Sequence, residues 1–245
     1  MGFHGTTNLE LVQYLKVSGV IESNLVFNTM KTIDRREFLI DRSKAYIDAP
    51  QQIGHGKTIS APHMHARTLE AFSEQLKNGK RALDIGSGTG YVTACMALAL
   101  GSKGCVVAIE CIPELRDKAK QIISNNYPAL LKQDRVKLLY GDGKLGYACM
   151  GPYDIIHVGV AAAEIPQNVR RDRHIFSPRS LLKFNTFSAY RPIGSGRPIV
   201  DACWDERSRT GLDANRQTAR RTNQAGKIAR PSALRNDDGR DRAGY

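Results

Sequence analysis

Asp84-Ile-Gly86-Ser-Gly88-Thr-Gly90 is the stretch that decides the fold. It closes a short apolar run at 81–85 and opens an apolar stretch at 91–100. A strand that ends in a glycine turn and feeds a helix is the setting of a nucleotide-binding loop. The glycines turn the chain sharply and let a ligand approach the backbone. Downstream, 105–109 reads as a β-branched strand and 113–126 as a helix with Pro113 at its start. Residues 136–140 and 153–158 read as further strands. This alternation predicts an α/β domain, a Rossmann-like parallel sheet with helices on both faces. Upstream, 6–17 and 23–33 carry apolar residues at helical spacing, with Ser23 as an N-cap, and form a helical extension. Residues 41–60 lack a period and read as one long loop, and 62–76 as one helix with Leu69, Phe72 and Leu76 on its buried face.

Two acids extend the glycine turn. Glu110 ends the second strand, twenty residues after Gly90, where a carboxylate can accept from both hydroxyls of a ribose. Asp142, in Gly141-Asp-Gly143 after the third strand, is placed by chain order to accept from an adenine amine. A dinucleotide turn wants a third glycine at position 91, which is Tyr, and the Gly-Lys-Ser/Thr of a P-loop is missing. Neither site wants a carboxylate such as Asp84 beside a pyrophosphate. S-adenosylmethionine carries an ammonium and a sulfonium and no phosphate, so an acid at the end of the first strand suits it.

Absent motifs narrow the methyl acceptor. Base-amine methylation would place Asn/Asp-Pro-Pro-aromatic after the fourth strand, where the chain reads His157-Val-Gly-Val160. A cytosine-C5 enzyme needs a Pro-Cys nucleophile, which does not occur. A carboxylate acceptor fits better, because it is ionised at neutral pH and needs no general base. Transfer then rests on positioning and exclusion of water. His63 and His65 lie two apart on one helix and face different ways, so no metal site is expected. Ser60, just before Ala-Pro, has an ordinary alternative as a helix-entry or N-cap serine.

Charge divides the chain. The net charge of +12 comes from 36 Lys+Arg and 24 Asp+Glu. Residues 1–169 hold 19 basic and 16 acidic residues, whereas 170–245 hold 17 and 8. Basic usage also switches from mainly Lys to mainly Arg. Apolar clusters persist at 180–187 and 198–200 without a sustained period, and 205–245 is expected to be disordered. The five cysteines are odd in number and form no CxxC pair, which fits reduced thiols in the cytosol. No signal peptide is visible, and 85–102 is too glycine-rich for a membrane span.

Five blocks then resemble the protein-L-isoaspartate (D-aspartate) O-methyltransferase family. They are Tyr46-Ile-Asp-Ala-Pro-Gln-Gln-Ile-Gly54, Thr58-Ile-Ser-Ala-Pro-His-Met-His-Ala66, Leu83-Asp-Ile-Gly-Ser-Gly-Thr-Gly90, Gly141-Asp-Gly143 and Tyr153-Asp-Ile-Ile-His-Val-Gly159. The resemblance runs from about residue 8 to 168, and the Thr58–Ala66 block is highly specific. It implies a class I S-adenosylmethionine-dependent methyltransferase fold and methylation of the α-carboxyl of L-isoaspartyl residues, with D-aspartyl residues also accepted, in damaged proteins. S-adenosylhomocysteine is the other product, and the methyl ester collapses to a succinimide that can reopen as aspartate. By resemblance Ser60 is the catalytic residue, its hydroxyl donating to the substrate carboxylate or organising the loop around it. Thr58, Ile59, Ser60 and His65 line the cofactor and substrate side. Asp84, Gly86, Gly88, Glu110, Asp142 and Gly143 match the cofactor-binding positions.

The resemblance also implies a cytosolic monomer with damaged proteins as partners and neither membrane nor specific nucleic acid. Domains are expected at 1–168, with helices and active-site loop over 1–80 and the cofactor-binding core over 81–168, and at 169–245, a divergent Arg-rich tail. The family's last strands are not recognisable in that tail. An alternative is an impaired isoform that engages nucleic acid non-specifically through it.

Overall fold

The structure, a computed structural model, describes residues 3, 5–160 and 166–172, and the backbone of 181–184. Two antiparallel helices come first, Asn8–Val17 (α1) and Asn24–Thr32 (α2). Thr7 caps α1 by accepting from the Glu10 amide, and Ser23 caps α2 through Val26, as its position predicts. Short 3-10 turns at Arg35–Phe38 and Arg42–Lys44 follow. The stretch 41–60, expected as a loop, contains a hairpin instead, Gln51–Gly54 (β1) paired with Lys57–Ile59 (β2). Its strands are too short to show a period. Gly54, His55 and Gly56 all take positive φ, which turns the chain between them.

The helix expected over 62–76 is two, Pro62–Ala71 (α3) and Ser73–Asn78 (α4), meeting at Phe72. Leu69, Phe72 and Leu76 are all buried, so the expected face is kept across the break. Next come Arg81–Ile85 (β3), Tyr91–Ala99 (α5), Cys105–Glu110 (β4), Pro113–Asn126 (α6), Pro128–Lys132 (α7), Val136–Tyr140 (β5) and Ile155–Val158 (β6). The chain then forms Gln167–Arg171 (α8) and Leu181–Phe184 (β7).

The five main strands run in the order β5-β4-β3-β6-β7, and every pair is parallel. Strand alternation sorts their side chains onto two faces. Leu83, Ile85, Val107, Ile109, Ile156 and Val158 join Tyr153 and Val169 in one cluster. Ala82, Val106, Ile155 and Val136 join the larger core of α1, α2, α3 and α5. Asp84, Glu110 and His157 stand in phase with this second set. The same alternation therefore carries three polar groups to the face that meets the N-terminal helices.

Described elements continue past residue 168. The boundary at 168 falls inside α8, and the backbone of 181–184 adds a fifth strand, pairing Ile155 with Leu181 through Val158 with Phe184. Four residues are too few to reveal a strand by pattern. Asp172 ties α8 to the sheet: its carbonyl accepts from the Tyr153 amide and its carboxylate from the Tyr147 amide. Burial raises that carboxyl above the usual aspartate range. The disorder expected over 205–245 and the basic tail lie outside the described residues. No described helix is long and apolar enough to cross a membrane.

Candidate active site

Strand order reverses at β3: the chain leaves it for β4 on one side, and β6 returns to it on the other. Ligands of open α/β sheets bind beyond the carboxyl ends of strands at such a switch point. A cleft of about 410 Å³, open to solvent, lies there. Its walls come from β3 and the glycine turn (Asp84, Gly86, Ser87, Gly88), from the end of β6 (His157, Gly159), from the start of α5 (Tyr91, Val92) and from the hairpin and α3 (Ile53, Thr58, Ile59, Ser60, His65). Three separate stretches of the chain, within 53–65, 84–92 and 157–159, thus form one site.

The glycine turn requires glycine for its backbone. Gly86, Gly88 and Gly90 have φ of 76°, 57° and 90°, a region that costs other residues about 1–2 kcal/mol each. A Cβ on Gly86 would lie 2.4 Å from Val160 Cγ1. The Glu110 carboxylate braces the turn from the next strand. Its Oε2 accepts from the Gly88 amide at 2.7 Å, and its Oε1 from the Ile112 amide at 3.1 Å. Oε1 also lies 3.6 Å from Cys111 Sγ, so Oε2 is the oxygen that keeps a lone pair for a further donor. Asp142 follows β5, where its Oδ1 accepts from the Lys144 amide at 2.9 Å. Gly143 is tightly seated, since a Cβ there would meet Ile85 Cγ2 at 2.3 Å. Seven of the ten predicted site residues (Thr58, Ile59, Ser60, His65, Asp84, Gly86 and Gly88) therefore line the cleft, and Glu110, Asp142 and Gly143 stand beside it on neighbouring strand ends.

Asp84 differs from the bare carboxylate expected at this position. It is fully buried; its Oδ2 accepts from Thr93 Oγ1 at 2.5 Å and its Oδ1 faces His157 Nδ1 at 2.8 Å. The register that pairs Asp84 with His157 puts the two side chains side by side on one face. An ionised carboxylate can only accept, so Nδ1 carries the hydrogen. Asp84 thus brings negative charge to the cleft wall as part of a buried dyad with His157.

The opposite wall is organised by Arg35. Its guanidinium is completely buried; Nη2 donates to the Ser60 carbonyl at 2.8 Å and Nη1 lies 3.2 Å from His65 Nδ1. It also sits over the Tyr91 ring at 5.8 Å. Burial lowers its pKa to about 10, which leaves it protonated at neutral pH. Ser60 is not a helix cap, because Ala61 holds that position and α3 has no side-chain cap. His63 faces away to Asp48, its Nδ1 2.9 Å from Oδ1. Among the described residues no group of three or more His, Cys, Asp or Glu is placed to hold a metal.

Arg35, Tyr91 and His157 carry no signal of a site role in the sequence. Arg35 lies outside every glycine or Ser60 block, and the partner of His157 depends on which strands pair.

Two features of the cleft fit S-adenosylmethionine. Ser87 Oγ is buried in the glycine turn without a hydrogen-bond partner, which leaves a polar atom for a ligand to satisfy. The turn itself is a cradle in which side chains are excluded and a negative wall stands at Asp84. Gly143→Ala should push Ile85 and shift the Asp142 turn. Calorimetry should find S-adenosylhomocysteine bound about tenfold more weakly, within the 1–3 kcal/mol of a small overpacking change.

Comparison with known proteins agrees with the geometry. The sequence model of the protein-L-isoaspartate(D-aspartate) O-methyltransferase family matches residues 6–172. Protein-L-isoaspartate O-methyltransferase 1 of Arabidopsis thaliana is 45% identical over 161 residues, covering 65% of this chain and 70% of that protein. The protein-L-isoaspartate O-methyltransferase of Caenorhabditis elegans is 41% identical over 163 residues, covering 66% and 72%. Among solved structures, a Plasmodium falciparum protein-L-isoaspartate O-methyltransferase in complex with S-adenosyl-L-homocysteine superposes with a TM-score of 0.64. It is 35% identical and covers 69% of this chain and 80% of its own. With the glycine cradle and the Ser60 wall in one cleft and the braced Glu110 beside it, the chain belongs to the protein-L-isoaspartate (D-aspartate) O-methyltransferase family.

Proposed function

We propose that this chain moves the methyl group of S-adenosylmethionine to the carboxylate of L-isoaspartyl, and of D-aspartyl, residues in damaged proteins, with Ser60 as the residue that holds the acceptor. The observation that carries this is the sharing of one cleft by the glycine turn and the Thr58–Ser60 segment. The cofactor supplies an electrophilic methyl on a sulfonium. Gly86, Ser87 and Gly88 offer it a close backbone approach, and Glu110 and Asp142 offer acceptors at the neighbouring strand ends.

The acceptor carboxylate enters already ionised, so no residue has to remove a proton. Transfer joins an anion to a cationic donor and leaves a neutral ester, so charge is lost along the path. A dry site favours such a reaction because it lowers the solvation of the charged reactants. Ile53, Ile59, Tyr91 and Val92 give the cleft apolar wall surface. Ser60 supplies a hydroxyl that can donate to one carboxylate oxygen and leave the other free to attack. Its place is set by the Arg35 bond to its carbonyl.

The proposal takes the enzyme as a monomer in the cytosol with no specific nucleic-acid partner. The absence of a nucleic-acid partner is supported by 1–169 being close to charge balance. The test is methyl transfer from labelled cofactor to an isoaspartyl peptide. Ser60→Ala should lower kcat/KM by about 10–100-fold, the loss of one hydrogen bond to a charged group. No transfer by the folded wild-type chain would remove the proposal.

A further inference from the structure

Among the described residues Arg35 is the largest fully buried side chain, and no carboxylate forms an ion pair with it. Burying an unpaired charge is costly, and one of its own donors, Nε, has no partner. Two good acceptors do not offset that cost, so packing alone gives no reason for a guanidinium here. What it does do is touch three walls of the cleft at once: the Ser60 carbonyl, His65 Nδ1 and the Tyr91 ring.

The contact with His65 has a chemical consequence. A guanidinium has five N–H donors and no acceptor. The imidazole nitrogen that faces it must therefore offer a lone pair, and a neutral imidazole then carries its hydrogen on Nε2. The charged surroundings hold the ring neutral. Arg35 faces it from the 3-10 turn, His157 with its partner Asp84 from β6, and Tyr91 from α5, with ring centroids 5.1 Å apart. His63, paired with Asp48, adds its influence from the same helix. Burial first, and then Arg35, His157 and His63, push the His65 pKa well below its usual 6.5.

We propose that Arg35 is a positioning residue for the acceptor side of the site: one buried fork fixes the Ser60 carbonyl and locks His65 as a neutral Nε2–H donor in the cleft. This rests on the cleft being the methyl-transfer site. Position and tautomer are both held by a group that cannot lose its charge at physiological pH. A lysine could keep the charge, but its ammonium is a point donor without the planar fork that spans two acceptors. A neutral donor suits an anionic acceptor because it holds the carboxylate without quenching its nucleophilicity as an ion pair would. Since the acceptor loses its charge during transfer, that hydrogen bond is strongest before the reaction. Its loss should raise KM without lowering kcat.

The test is the side-chain ¹⁵N spectrum of the full chain labelled at histidine, with His65→Gln identifying the signal. Wild type should show His65 with Nε2 protonated and Nδ1 bare, unchanged from pH 5.5 to 8. Arg35→Lys should let the ring titrate, with a midpoint at least one pH unit higher than in wild type. It should also raise KM for an isoaspartyl peptide about tenfold, the scale of one hydrogen bond to a charged group, with kcat not lowered and S-adenosylhomocysteine affinity within about twofold. A protonated Nδ1, or titration near 6.5, in an active wild-type chain would overturn the role of Arg35. So would an Arg35→Lys protein with wild-type tautomer and KM. If Arg35→Lys does not fold, the wild-type spectrum still decides. The expected tautomer in a folded chain that transfers no methyl group would instead overturn the proposed function.

Discussion

Glu110→Ala should reduce the affinity for S-adenosylmethionine by at least about 100-fold, read by calorimetry or by quenching of cofactor-dependent activity. The carboxylate does two jobs from a position only 4% exposed. It holds the Gly88 amide at 2.7 Å and the Ile112 amide at 3.1 Å, and its Oε2 keeps a lone pair for a further donor. Removing it strips two amides of their partner at the place where the turn has positive φ. Each such loss costs about 1–3 kcal/mol, and loss of the proposed contact to the ribose would add to it. The turn then has no reason to keep a geometry that only glycine tolerates. Glu110→Gln is the informative partner: its carbonyl oxygen can keep one amide, so it should retain a fold close to wild type and lose affinity by about tenfold. Equal binding by wild type and Glu110→Ala would mean that the ligand lies elsewhere.

Asp84→Ala should be the most damaging single change to stability. Both of its oxygens are committed, to Thr93 at 2.5 Å and to His157 at 2.8 Å, and the side chain is fully buried in the central strand. Alanine leaves a hydroxyl and an imidazole without their acceptor in the core. Breaking one side of such a buried charged arrangement typically costs about 3–5 kcal/mol. For a chain of this size that corresponds to a fall in Tm of roughly 10 °C, measurable by thermal denaturation followed by circular dichroism. A milder outcome is expected for Asp84→Asn, which keeps the shape and one acceptor. A change in Tm below 2 °C for Asp84→Ala would show that the dyad contributes little to the fold.

These two carboxylates mark the limit of what was legible before the structure. The strands at Arg81–Ile85 and Val136–Tyr140 and the helix Pro113–Asn126 have the bounds that their apolar patterns imply, because each is long enough to carry a period and is bounded by turn or proline signals. The caps at Thr7 and Ser23 follow from local chemistry alone. Failure came where elements are short or depend on distant partners. The hairpin at 51–59 and the strand at 181–184 have three or four residues each, and Phe72 divides a stretch whose hydrophobic spacing is continuous. In the site, the glycines and Glu110 stand out by their spacing along a strand–turn–helix–strand run, and Ser60 through the family block that contains it. Arg35 and His157 do not: an Asp-Arg pair after a helix and a histidine in an apolar strand look like surface and core residues respectively.

By itself the sequence determined the α/β class, the turn that a cofactor requires, the family and the residues that resemblance could name. All of these depend on local spacing and residue type, which are carried along the chain. The tertiary structure alone decided that Asp84 works as a dyad with His157, that Ser60 hangs from a buried guanidinium, and that a hairpin forms one wall of the cleft. Those facts depend on which strands pair and which helix covers which face. Parallel neighbours such as β3 and β6, with some seventy residues between them, are joined by packing that no local pattern records.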